Sequence, residues 1–154
     1  MKLEELKKSY SILEKKYNLP SFSELNEGFG IEVLRKGEEL LLRSIRKTML
    51  EKIVNSLGFA EMLLNPANAP RMYFVYLKSM TAEDKKDIEK IYSVLSDIVL
   101  ASSKLEIEYS EKGEAEMIIR IVKDWNSIQP LFIKVIEHMQ NPVHSPAKEK
   151  SYFG

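Results

Sequence analysis

The sequence predicts an all-α protein, an antiparallel bundle of about five to seven helices whose C-terminal half is a long helical hairpin. Three observations predict it. Apolar side chains recur every three or four positions through most of the chain, the spacing that lines one face of an α-helix. Glycine and proline are scarce, six of each in 154 residues, and fall mainly between the periodic segments. Two long apolar seams near the C-terminus are joined by a short glycine-bearing connection, the pattern of two helices packed at a shallow angle.

The first helix carries Leu3, Leu6, Tyr10, Leu13 and Tyr17 on one face. It is expected to end over Asn18 to Pro20, because a residue before proline avoids the α region. The run Tyr17-Asn18-Leu19-Pro20-Ser21-Phe22 reads as a connector to which no activity attaches. Within it Ser21 and Glu24 match a capping box, opening a short helix that stops near Gly28 and Gly30.

From about Glu38 begins the longest expected helix, with Leu42, Ile45, Met49, Ile53, Leu57, Ala60 and Leu64 in register and Leu41, Leu50 and Val54 widening the stripe. A stripe this broad suits a helix with several neighbours, placed centrally in the bundle. Gly58 is tolerated inside it at about 1 kcal/mol relative to alanine, and Asn65-Pro66 closes it.

The stretch Asn68 to Met80 reads two ways. Met72 to Leu77 is rich in the aromatic and β-branched residues of strands, whereas Pro70 suits a first helical turn. No partner strand is visible, so a short buried helix is preferred.

Thr81 caps the next helix, whose first turn holds Glu83 and Asp84 at the positive end of the helix dipole. Its face runs Ile88, Ile91, Leu95, Ile98, Ser102, Leu105 and Tyr109. After a turn at Gly113 comes the face Ile118, Ile121, Trp125, Ile128, Phe132, Val135 and Met139. Pro130 is expected to split this last segment into helices over 114–126 and 130–140. The alternation Leu105-Glu106-Ile107-Glu108-Tyr109 would also suit a β-hairpin over 105–122; the unbroken helical register from Ile88 favours helix. The domain is expected to span 1–140, with 141–154 an irregular tail for which Tyr152 and Phe153 are natural anchors.

Composition narrows function mainly by exclusion. Apolar residues make up 44% and charged residues 30%, a globular mixture able to bury roughly 70% of the surface of the unfolded chain. Zero cysteines exclude thiolate metal sites and cysteine nucleophiles, and fit a reducing compartment, so the cytoplasm is expected. No apolar stretch approaches the ~20 residues a membrane span needs. Lysine plus arginine and aspartate plus glutamate both total 23, a balance that argues against a dedicated DNA binder.

No phosphate-binding glycine loop and no nucleophile elbow occur, so no catalytic residue and no cofactor are assigned, and an enzyme is disfavoured. The histidines, His138 and His144, lack the three- or four-residue spacing of helical metal ligands. His138 reads instead as a solvent-facing side chain near a helix C-terminus, and no metal site is assigned.

Two surfaces stand out. Tyr73, Phe74, Tyr76 and Leu77 form the candidate protein interface, since Met72 to Leu77 offers more apolar surface than one short helix hides. Lys36, Arg43, Arg46 and Lys47 form a candidate face for an anionic partner such as nucleic acid. The mixed-sign ladder Glu39, Arg43, Lys47, Glu51 argues for a self-satisfied helix instead. The acidic excess at Glu106, Glu108, Glu111, Glu114 and Glu116 is expected at a hairpin tip, where a solvated loop is a simpler account than a surface for a basic partner. The preferred reading is a helical protein-interaction or scaffold domain that self-associates; the alternative is a nucleic-acid-associated helical protein.

Overall fold

A computed structural model describes residues 2–34 and 40–141. They form an all-α protein of six helices: α1 (Leu3–Tyr17), α2 (Phe22–Phe29), α3 (Leu41–Leu64), α4 (Phe74–Leu77), α5 (Ala82–Ile107) and α6 (Glu111–Gln140), with 3₁₀ turns at Ile31–Val33, Pro66–Asn68 and Arg71–Tyr73. Neither the alternative β-hairpin at 105–122 nor a strand at 72–78 occurs. The expected tail, from Pro142 onward, and Lys36 lie outside the described residues.

The described residues cluster into two compact units, Met1–Val54 with Ile98–Asp124, and Asn55–Asp97 with Trp125–Gly154. α3, α5 and α6 each contribute to both. In the first unit the core is Leu6, Tyr10, Leu25, Ile45, Met49, Ile98 and Ile118, all fully buried. In the second it is Leu63, Leu77, Ile88, Ile91, Leu95, Ile128 and Val135. Each such side chain contributes roughly 1.5–3 kcal/mol, several times the differences among ordinary helix propensities. The seams therefore decide where the helices run.

Local chemistry sets the ends. Asn18, not the restriction before Pro20, terminates α1: it takes the left-handed conformation at φ 53° and its N–H bonds the Glu14 carbonyl. Asparagine enters that region more readily than most residues. The connector then folds back, with the Tyr10 hydroxyl donating to the Pro20 carbonyl and the Tyr10 and Phe22 rings edge to face at 5.9 Å. Ser21 Oγ accepts the Glu24 N–H as the capping pattern predicts, and Gly30 closes α2 at φ 63°. Thr81 and Asp84 cap α5 reciprocally: the Thr81 N–H donates to Asp84 Oδ2 and the Asp84 N–H to Thr81 Oγ1.

Two expectations about α6 are corrected. Gly113 is not the turn; the chain turns at 108–110 and Gly113 lies inside the first turn of α6, its N–H donating to Ser110 Oγ. A Cβ there would sit 2.6 Å from Ser110 Oγ and 2.7 Å from Leu105 Cδ2, so glycine permits the close approach. Nor does Pro130 split the helix, which runs unbroken to Gln140 and is the longest among the described residues, at 30 residues against 24 for α3. Proline inside a helix costs about 3 kcal/mol. Burial of Ile128, Phe132 and Val135 around it outweighs that cost, and both Pro130 and Asn126, whose carbonyl it cannot serve, face solvent.

Candidate functional site

The second unit carries the aromatic segment. Leu77, placed in the candidate interface by sequence, is a core residue at 1% exposure, and the short helix is not a buried one. Met72, Phe74 and Val75 stand 65%, 44% and 63% exposed, while Tyr73 and Tyr76 are half-buried. Four-residue α4 explains the split, since so short an element turns only one side chain inward. Ser79 holds the exit of the turn by donating to the Tyr76 carbonyl at 2.7 Å.

Tyr73 joins this turn to a second apolar feature. Its ring meets Phe59 edge-on at 6.3 Å, and Phe59 stacks on Phe132 at 5.8 Å. Beyond Phe132 opens a groove of about 410 Å³ lined by Asn55, Ser56, Phe59, Trp125, Gln129, Phe132, Ile133 and Ile136. It contains no charged side chain. Ile133 and Ile136, on its rim, are 47% and 37% exposed. Aromatic residues with aliphatic neighbours are the side chains that dominate protein-binding energetics.

The basic face has another fate. Arg46 is fully buried and donates to Glu114, itself fully buried, and to Glu106 at 2.6 Å. Arg43 bonds Glu106 at 2.7 Å and lies over the Tyr109 ring, 5.9 Å from its centroid. Lys47 is 3.8 Å from the same carboxylate and over half exposed. Hydrogen bonds from Arg46 and then Arg43 lower the Glu106 pKa to about 2. Burial works against the Arg46 charge, yet its bonds to Glu114 and Glu106 hold its pKa above the ordinary value. Arg43, Arg46 and Lys47 are thus brought together around acceptors from the protein itself. Of the acidic group expected at the hairpin tip, Glu106 and Glu114 face these arginines, and Glu111 accepts from Tyr17 at 2.5 Å and Lys16 at 3.0 Å. No protein-family model, curated protein or solved structure matches this chain.

His138 is not simply a surface side chain at a helix end. Its Nδ1 lies 2.9 and 3.0 Å from the two oxygens of Asp84, which is fully buried, while His138 itself is 45% exposed. Facing a carboxylate, Nδ1 is the nitrogen that carries the donated proton. Beside it Lys134 bonds Glu83 and Asp87 at 2.9 and 3.2 Å. These contacts clasp the last turns of α6 to the start of α5. No group of three or more histidine or carboxylate side chains able to hold a metal ion occurs among the described residues.

Sequence reasoning placed Arg46 on the outside, although the signal for its burial was present. Leu42, Arg46, Met49 and Ile53 follow the same alternation of four and three as the apolar seams, and so do Glu114, Ile118, Ile121 and Trp125. A charged residue in seam register is a buried charge, and a buried charge needs a partner. Asp84, four before Ile88, obeys the same rule.

Proposed function

We propose that this protein is a non-catalytic interaction domain that self-associates through the apolar turn at Met72–Tyr76. The exposure of Met72, Phe74 and Val75 side by side is the observation that carries this reading. Monomeric surfaces scatter single apolar residues and rarely group large ones. A second copy of the chain would remove all three from water together, and the half-buried Tyr73 and Tyr76 would supply hydroxyls at the rim of that contact. A reducing, cytoplasmic setting is part of the proposal and rests on the cysteine-free composition; no helix among the described residues is long and apolar enough to cross a membrane.

The alternative, an anionic partner held by Lys36, Arg43, Arg46 and Lys47, draws less support. Arg46 is enclosed and both arginines already face carboxylates, so a phosphate would have to displace them. Light scattering across a range of concentrations tests the proposal: a dimer or larger species is expected, and a constant monomer mass up to high concentration contradicts it.

A further inference from the structure

We infer that the turn at Met72–Tyr76 docks into the groove lined by Phe59, Trp125, Phe132, Ile133 and Ile136 of a second copy of this chain, and that copy's turn into the groove of the first. The inference rests on the self-association proposed above and names the surface that receives the turn.

Continuity comes first. Turn and groove both belong to the second unit, and a run of rings joins them: Tyr73 meets Phe59 at 6.3 Å, and Phe59 stacks on Phe132 at 5.8 Å. Phe59 and Phe132 are groove walls, so the turn and the groove are neighbours within that unit. A two-fold axis passing between two neighbouring features sets each against the other on the partner copy. Both contacts then form in one dimer, and no turn is left over to recruit a third chain.

Area comes second. Met72, Phe74 and Val75 are exposed, but three side chains present only on the order of a few hundred Å² between them. A stable interface covers about 800 Å² on each partner, so turn against turn falls short. Turn against groove also covers the exposed Ile133 and Ile136, and the two-fold axis repeats the contact. Charge decides which surface the turn meets. Arg71 and Lys78, both exposed, bracket the turn. Turn-to-turn docking would bring the cations of one copy against those of the other, and like charges set opposite one another oppose association. The groove lining contains no charged side chain, and the exposed Glu137 follows Ile136 at its edge, a carboxylate for the incoming cations.

The absence of native cysteine allows a test by disulfide trapping in the full chain. Phe74→Cys puts one thiol on the turn and Gln129→Cys puts one in the groove, both at exposed positions. The two single variants are oxidised mildly, each alone and mixed in equal amounts, and the linked species are identified by mass spectrometry. In the mixture, dimers linking one variant to the other are expected to form at least tenfold faster than either variant links to itself. Light scattering of the unmodified protein should show a mass that rises to two chains and stops. Faster self-linking of the Phe74→Cys variant would mean that turn meets turn, which overturns this inference and leaves self-association standing. Faster self-linking of the Gln129→Cys variant, slow mixed linking in a protein that is dimeric, or a mass growing past two chains would each overturn it as well. A protein that stays monomeric would remove the self-association reading together with this one.

Discussion

Arg46 and Glu114, 68 positions apart in sequence, form an ion pair from which water is excluded on both sides, each side chain at 0% exposure. The pair joins α3 to α6 within the first unit, and Glu106 of α5 completes it at 2.6 Å from Arg46. An ion pair of this kind is weak evidence of net stability, because desolvation offsets much of the attraction. Removing one member is a different matter.

Arg46→Met is expected to destabilise the protein by about 3–5 kcal/mol, since it strands the Glu114 carboxylate in the interior. The double variant Arg46→Met/Glu114→Leu should recover most of that loss, because no charge is left unpaired; Glu106 retains Arg43 and Lys47. Urea unfolding of the two single variants and the double variant measures the cycle. Additive losses with no recovery would mean that the pair is not coupled.

Glu106 sets a pH dependence. Its carboxyl is held at about 2 in the folded protein, below its ordinary value of 4.5, first by the bond from Arg46 and then by that from Arg43. Between those values the unfolded chain binds the proton and the folded one does not, so acid favours unfolding. The contribution is fully present above pH ~4.5 and is lost as the pH falls towards ~2. Glu111, lowered by bonds from Tyr17 and then Lys16, acts in the same direction. Glu106→Gln should flatten the acid limb of a stability profile, and an unchanged limb would remove Glu106 from this account.

Pro130 is carried by its neighbours. Pro130→Ala restores a backbone N–H for the Asn126 carbonyl and should stabilise the protein by about 1–3 kcal/mol. The exposed position leaves the core untouched. Thermal unfolding would show a raised midpoint; a lowered one would mean that the proline shapes α6 in a way the packing requires.

Much of the fold is legible in the sequence because it depends on period. Every residue of the series Ile118, Ile121, Trp125, Ile128, Phe132, Val135 and Met139 is buried. The same holds from Ile88 to Ser102; it weakens at half-buried Leu105 and is lost at Tyr109, beyond α5, which is 40% exposed. What escaped is of two kinds. At Asn18 and Pro130, rules about single residues met competing local or tertiary energies that were larger. At Arg46, Asp84 and Glu114, side-chain type suggested a solvated face while register pointed inward, and register prevailed because each found a partner.

The candidate surface was half legible. Exposure of Met72, Phe74 and Val75 follows from the shortness of α4, whereas the groove beside Phe132 depends on how Phe59 and Trp125 meet it. Such meetings between distant segments leave no periodic trace in sequence.

Self-association is the central claim, and the molecular mass of the double variant Phe74→Lys/Val75→Lys tests it most directly. Light scattering should find the unmodified protein as a dimer or larger and the variant as a monomer, with the helical circular dichroism of the two the same. A variant that keeps the mass of the parent would contradict the claim.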